Sequence, residues 1–335
     1  MEEPGPDGVL VRLAAVGVCG SDLHLVRGEW RRPTPMVLGH EGSGVVEAVG
    51  SRVSAVAPGD RVVLSWAPSC GECGPCRAGR PVACAPLRAG VAAGTLADGT
   101  TGLSADGATV YRMTTIGALA ERMVLPAKAV LPIPGDLPLE EAALIGCAAL
   151  TGVGAVLSRA KVEPGASVLV VGAGGVGQFV VQGARVAGAA RIVAADPLEG
   201  RRAQALRVGA TEAVAPDEVA GEFDYAFDAV GEPATFDLAL RSARGGGTVV
   251  AVGMAAAGAR YDLDPFQLTN EEKWVTGSLY GSEDPAAALP RILELVRAGR
   301  LDLRATLGPT FPLDRVNDAI AASLAGSPGR VLVMP

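Results

Sequence analysis

Hydrophobic and polar positions change rhythm twice along this chain. The runs VLVRLAAVGVC, GSGVVEAVG and DRVVLS are short, β-rich and punctuated by Gly and Pro, a pattern that predicts an irregular β domain. From about residue 150 the units lengthen. A strand over Ser167–Val171 leads into glycines, a helix of small and apolar residues, and a second strand over Arg191–Ala195. A helix over about 198–208 follows, then TEAVA, FDYAFDAVG, GGTVVAVG and KWVTGSLYG, with the helical PATFDLALRSA between the second and third of these. Six strands in βα alternation predict an α/β fold with a doubly wound parallel sheet. The closing PGRVLVMP reads as one more strand of the first domain. The expected organisation is therefore a β-rich unit of residues 1–149 and 282–335 with an α/β unit of residues 150–281 inserted in it.

Length and charge narrow the picture. A chain of 335 residues has two domains of ordinary size as its natural expectation. The net charge of −7 gives no basic footprint for nucleic acid. The opening MEEPGPDG is acidic and polar, unlike a secretory or transit peptide. The longest apolar stretch, roughly 166–195, is broken by glycines and by Arg185, so it reads as a buried βαβ unit rather than a membrane span. No membrane partner and a cytoplasmic location are the expectations.

The inserted unit carries the first chemistry. Gly172, Gly174 and Gly177, with Gly175 between them, have the G-x-G-x-x-G spacing at the end of a predicted strand. Such glycines permit a tight turn, close approach of backbone to a pyrophosphate, and close helix–strand packing. The helix that follows offers free N–H groups to the phosphates. Asp196 ends the second strand, 19 residues after Gly177, where a carboxylate accepts hydrogen bonds from ribose hydroxyls. Its charge opposes the 2′-phosphate of NADP and so favours NAD. Arg201 and Arg202, just beyond, soften that preference.

Four of the six cysteines crowd into CGECGPCRAGRPVAC: Cys70, Cys73, Cys76 and Cys84. This spacing fits a closed tetrahedral structural zinc site; disulfides and an iron–sulfur cluster are the competing readings, and a reducing compartment disfavours disulfides. A lobe near residues 68–86 is expected around it. The other two cysteines, Cys19 and Cys147, together with His40 make a Cys₂His set of the kind that leaves a fourth metal position open. Buried structural cysteines and an ordinary core histidine fit the residue types equally well.

In this order and spacing, GVCGSDLH, LGHEGSGVV, the four-cysteine knuckle, ALIGCAALTG and GAGGVG followed by Asp196 resemble the zinc-dependent medium-chain alcohol dehydrogenases over nearly the whole chain. The resemblance implies a Rossmann domain inserted in a β-rich, chaperonin-10-like catalytic domain, with the active site in the cleft between them. It implies Cys19, His40 and Cys147 as ligands of a catalytic zinc, in addition to the structural zinc of the knuckle. The reaction implied is hydride transfer between an alcohol/aldehyde pair and NAD(H), zinc polarising the substrate oxygen.

The same resemblance assigns roles to neighbouring residues. Ser21 passes the substrate proton through the cofactor ribose to His24, which lies near solvent; a hydroxyl and an imidazole both suit a relay. The bland alternatives are a helix cap for Ser21 and an idle surface residue for His24. Asp22 orients the ring of His40, or simply caps a turn. Glu41 sits behind the zinc, or forms a buried ion pair. Thr151 and Val176 bracket the nicotinamide, or pack in the core. Trp30 and Trp66 line an apolar pocket for a bulky or aromatic alcohol, or are core residues.

Two departures stand out. Only eight residues precede the segment VLVRLAAVGVC, where the family usually has an opening pair of strands, so a shortened start or a smaller β domain is expected. Gly20 occupies the place where a basic or imidazole side chain often touches the pyrophosphate, so weaker cofactor binding is expected. A biosynthetic NAD(P)H-dependent reductase of an aldehyde, imine or activated alkene is the alternative within the same fold. A zinc-stapled binding protein without catalysis is the remote one. A homodimer or homotetramer is the expected assembly.

Overall fold

Alternation of apolar and polar positions makes β1 (Gly8–Gly17), which turns Val9, Val11 and Leu13 into the core. The chain is described by a computed structural model over residues 4–335; the first three residues of the acidic opening lie outside the described residues. After β1 comes the short helix α1 (Gly20–Val26), then β2 (Glu41–Val49), β3 (Arg61–Leu64), β4 (Arg122–Pro126) and β5 (Val130–Pro132). Helix α2 (Ala148–Gly154) leads out of this β-rich part, and every residue in it is buried.

The second sheet begins with β6 (Ser167–Val171), followed by α3 (Gly175–Ala187), β7 (Arg191–Ala195), α4 (Glu199–Val208) and β8 (Glu212–Val214). It continues through β9 (Phe223–Asp228), α5 (Pro233–Ser242), β10 (Ala243–Ala251) and β11 (Trp274–Gly277). Its six strands run in the order β8-β7-β6-β9-β10-β11, all pairs parallel. Strands this deeply covered read as continuous Val and Ala runs because helices lie on both faces; Val168–Val171 are all within 1% of complete burial. Each such valine or leucine contributes about 1.5–3 kcal/mol of hydrophobic stabilisation.

The chain then returns through α6 (Pro285–Arg297) to β12 (Leu307–Pro312) and β13 (Arg330–Met334). β13 pairs antiparallel with β1, giving a seven-stranded sheet ordered β12-β13-β1-β2-β3-β5, with β4 paired to β1. The fold is thus a Rossmann unit inserted in a β-rich one, as the pattern predicted.

One stretch departs from that pattern. The strand expected over KWVTGSLYG stops at Gly277. Tyr280 (φ 52°), Gly281 (φ 75°) and Ser282 (φ 63°) then adopt left-handed backbone. A Cβ on Gly281 would lie 2.3 Å from the carbonyl oxygen of Leu150 in α2, so the backbone turns where only glycine fits. Both passages between the two sheets, α2 and residues 278–284, therefore touch each other.

Candidate active site

The end of β1 delivers Cys19 to the start of α1, His40 immediately precedes β2, and Cys147 immediately precedes α2. All three are buried, and their candidate ligand atoms lie within 4.8 Å of one another. Asp22 fixes the two loops that bring Cys19 and His40 together. Its Oδ2 accepts from the Cys19 backbone N–H at 2.8 Å and its Oδ1 from the Gly39 N–H at 2.8 Å. Nδ1 of His40 faces Asp22 at 3.6 Å, long for a hydrogen bond, and leaves Nε2 as the ring nitrogen available to a metal. Asp22 therefore both caps α1 and faces His40.

The electrostatics of this cluster fit a cation. The Cys147 thiol donates to Cys19 and, with Arg330 and His40 nearby, holds the Cys19 thiol well below its ordinary value despite burial. That same bond, together with burial, pushes the Cys147 thiol well above its ordinary value. Burial opposes charge on His40, but Asp22 and Cys19 outweigh it and push the imidazole up to about 10. Two buried sulfurs this close repel each other when both are ionised, a repulsion that a divalent ion removes by binding both as thiolates. The donor set, two thiols and one imidazole, is that of an open zinc site.

Glu41 is fully buried and paired with Arg330, whose Nε lies 3.1 Å from its Oε1. The ion-pair alternative is thus what the structure contains. Burial raises the Glu41 carboxyl to about 7 even though Arg330 pulls the other way. Arg330 also donates from Nη1 to the Val18 carbonyl at 3.1 Å, while its Nη2 is buried without a partner among the described residues. That guanidinium lies against Gly175, where a Cβ would come within 2.7 Å of its Cζ.

Gly175 opens α3 and belongs to an open cradle. Gly172 has φ 89°, and a Cβ on Gly177 would fall 1.8 Å from the Gly172 carbonyl oxygen. A Cβ on Gly174, by contrast, would meet only Nη1 of Arg201 at 3.9 Å. Backbone N–H groups at the start of α3 thus face open space beside a guanidinium, the environment a pyrophosphate needs. Asp196 is 2% exposed and accepts from the Ala173 and Leu198 N–H groups at 2.9 Å each. A carboxylate has about four acceptor positions, so capacity for ribose hydroxyls remains. Nη1 of Arg201 lies 3.7 Å from Asp196, whereas Arg202 donates to the Asp196 and Pro197 carbonyls. The Thr151 N–H donates to the Cys147 carbonyl at 2.9 Å, placing Thr151 one turn beyond that cysteine. Val176, half-buried, packs against core clusters on both sides of α3.

Ser21 lies half-buried in the first turn of α1; Cys19 and Asp22, not Ser21, form the cap. His24, one turn on, is 18% exposed at its side chain and pairs through Nδ1 with Glu29. Its ring stacks on Trp30 at 4.5 Å and 17°. Trp66 packs against Tyr280 at 4.6 Å, and the Tyr280 hydroxyl donates to the Gly146 carbonyl at 2.6 Å, next to Cys147.

The knuckle closes a second cluster. Cys70, Cys73, Cys76 and Cys84 place their sulfurs within 4.8 Å of one another. Sγ of Cys76 is 3.9 Å from that of Cys70 and 3.4 Å from that of Cys73. Zn–S bonds near 2.3 Å in a tetrahedron put sulfurs roughly 3.8 Å apart, so the cage has the right size. All six cysteines are free thiols. Backbone N–H groups of Cys76 and Ala85 lower the Cys73 thiol to about 6.

Arg330, Glu29 and Tyr280 were not among the residues expected from sequence. A single arginine in the otherwise apolar VLVM strand was the one available signal for Arg330. No helix among the described residues is by itself long and apolar enough to cross a membrane; the bent pair Leu139–Gly146 and Ala148–Ala160 passes only as a pair.

Comparison with known proteins agrees with this geometry. The alcohol dehydrogenase GroES-like domain model matches residues 5–135, and the zinc-binding dehydrogenase model matches residues 175–296. Alcohol dehydrogenase B of Mycobacterium tuberculosis is 38% identical over 343 residues, covering 97% of this chain and 90% of that protein. An S-(hydroxymethyl)glutathione dehydrogenase of Escherichia coli is 35% identical, covering 98% of this chain and 93% of the relative. The crystal structure of benzyl alcohol dehydrogenase from Acinetobacter calcoaceticus matches at TM-score 0.93 and 28% identity, covering 100% of this chain and 93% of that one. With the fold, the two cysteine clusters and the glycine cradle on one chain, these likenesses make it an alcohol/aldehyde oxidoreductase that belongs to the zinc-dependent medium-chain alcohol dehydrogenase family.

Proposed function

We propose that the chain interconverts an alcohol and its aldehyde with NAD(H), holding a catalytic zinc through Cys19, His40 and Cys147. The observation that carries this reading is the convergence of those three buried groups, remote in sequence, beside a glycine cradle for a dinucleotide. When bound, zinc supplies Lewis acidity to the substrate oxygen. Asp22 holds the two ligand-bearing loops in register, and Glu41 with Arg330 sets the charge behind them. Arg330 offers its unpartnered Nη2, and the start of α3 its N–H groups, to the pyrophosphate. Asp196 receives the ribose, and Thr151 and Val176 flank the nicotinamide. Ser21 accepts the substrate proton, and His24, at the edge of the cleft, delivers it to water.

The knuckle holds a second zinc with no free position and ties its lobe to the core through Cys84, which is completely buried. Trp66, braced by Tyr280 next to Gly146, makes one wall of an apolar pocket suited to a bulky or aromatic alcohol, and Trp30 contributes its remaining face. Arg201 beside Asp196 favours a second reading, in which NADPH is also accepted and the enzyme runs as a reductase. The nucleotide-binding unit spans residues 150–281. Its edge strand β11 exposes Trp274 at 71%, and a nearby helix exposes Phe266 at 77%, so a homodimer or homotetramer pairs through this edge. Two clusters of zinc-binding cysteines suit a reducing, cytoplasmic location.

The test is zinc analysis of the purified protein together with oxidation of ethanol, benzyl alcohol and S-(hydroxymethyl)glutathione, and reduction of their aldehydes, with each dinucleotide. About two zinc ions per chain and NAD-linked turnover support the proposal. Metal-free protein, or no turnover with either dinucleotide, refutes it.

A further inference from the structure

His24 is held on three sides by the loop that follows its own helix. The backbone N–H groups of Glu29 and Trp30 both donate to the His24 carbonyl, at 2.9 and 3.3 Å, folding the loop back over the ring. The Glu29 carboxylate then meets Nδ1, and Trp30 covers one ring face. The loop is itself anchored across the cleft. Nε1 of Trp30 donates to the Ala255 carbonyl at 2.9 Å, and the Ala257 N–H donates to the Glu29 carbonyl at 3.3 Å. Residues 255–257 follow β10 in the nucleotide-binding sheet.

From this arrangement we propose that Glu29 is a positioning residue of the reaction, fixing the tautomer and orientation of His24. The inference rests on the reading of His24 as the end of the proton path. An ionised carboxylate only accepts hydrogen bonds, so Nδ1 must carry the hydrogen. Nε2 is then left as the lone-pair nitrogen, free to take a proton from the hydroxyl before it in the path. On alcohol oxidation Nε2 gains that proton, the ring becomes imidazolium beside the Glu29 carboxylate, and the same proton leaves Nε2 for water. In reduction the transfers run backwards. With the opposite tautomer Nε2 would carry hydrogen and the ring would accept nothing there. Among the described residues the charged groups facing this ring are Glu29 itself and, on its other oxygen, Arg27 at 3.9 Å; residues 254–257 bring none. Arg27 is half exposed and draws only weakly on the carboxylate.

The chain has two histidines, so the imidazole nitrogens of ¹⁵N-histidine-labelled holoenzyme resolve into two spin systems. With the His24 ring neutral, wild type is expected to show hydrogen on Nδ1. Glu29→Ala is expected to revert to hydrogen on Nε2, the form free side chains favour, and Glu29→Gln to keep Nδ1–H, because its amide oxygen still accepts. The second readout is the pH profile of NAD⁺-linked benzyl alcohol oxidation. Glu29→Ala should slow turnover about ten-fold, part of the 10²–10⁴ that positioned proton transfer supplies, with Glu29→Gln restoring most of it. In a His24→Gln background the same change should cost under about two-fold, since a residue acting through His24 has nothing left to act on. An Nδ1–H tautomer that persists in Glu29→Ala, or a full loss in the His24→Gln background, overturns the proposal. A wild-type pH profile in His24→Gln overturns instead the underlying proton path, and the tautomer still decides whether Glu29 orients the ring.

Discussion

Arg330 and Glu41, 289 positions apart in sequence, form an ion pair of 3.1 Å that water barely reaches. β13 brings the arginine and β2 the carboxylate to the floor beneath Cys19. Breaking a buried pair from one side costs about 3–5 kcal/mol, whereas replacing both partners by neutral groups is far milder. Arg330→Met is therefore expected to lose stability in that range by chemical denaturation, and Glu41→Gln added to it to recover roughly half. An additive double variant contradicts the pairing argument.

On the proposed reading, cofactor affinity is set on two sides of the pyrophosphate. Gly20 opens α1, and a Cβ placed there meets nothing within 4 Å. Gly20→Arg should tighten NAD⁺ binding by about 1.5–3 kcal/mol, the worth of one hydrogen bond to a charged group. Fluorescence titration checks this, and unchanged affinity refutes it.

Gly177 makes the opposite case. Because a Cβ would sit 1.8 Å from the Gly172 carbonyl, Gly177→Ala must push the turn and α3 apart. Loss of measurable NAD⁺ binding with retained zinc content is the expected outcome. Calorimetric binding of wild-type strength would show that the turn tolerates a side chain.

How much of this was legible in sequence depended on distance along the chain. The bounds of β6 and β7 and the cysteine knuckle were readable because periodicity and ligand spacing are local. Cys19, His40 and Cys147 were one of two equal readings on residue types, and only the resemblance favoured them as a ligand set, since no spacing rule connects them. Tyr280 and the partner of Arg330 were illegible for the same physical reason, whereas Glu29 lies five positions from His24 and no motif marks it. Tyr280 meets its Gly146 acceptor across 134 positions and Trp30 meets Ala255 across 225, contacts that only the folded sheets create. The left-handed turn at residues 280–282 was hidden too, because KWVTGSLYG reads as strand until Gly281 is pressed against Leu150.

Asp224 gives a pH signature far from the active site. The hydroxyl and N–H of Ser167 and the Arg244 guanidinium hold its carboxyl down to about 2. A carboxyl lowered in the folded state stabilises above its unfolded value near 3.8 and loses that contribution as pH falls toward 2. Asp224→Asn should thus cost about 1 kcal/mol at neutral pH, discounted for partial exposure, and lose most of that cost as pH falls through 2. Equal losses at both pH values would contradict the assignment.

The knuckle and the cluster of Cys19, His40 and Cys147 should separate on mutation. Cys84→Ser is expected to remove one zinc per chain and expose residues 70–94 to proteolysis, because a structural site contributes folding energy directly. Two retained zinc ions, measured by atomic emission, would show that Cys84 is not a ligand.

The most direct test of the whole reading is a crystal structure of the zinc-loaded protein, with the metal located by its anomalous scattering. The expected peak is bound by Cys19, His40 and Cys147, with its fourth position held by solvent or substrate and facing the glycine cradle. A vacant cluster in zinc-loaded protein, or a zinc closed by a fourth protein ligand such as Glu41 with substrate present, would contradict it.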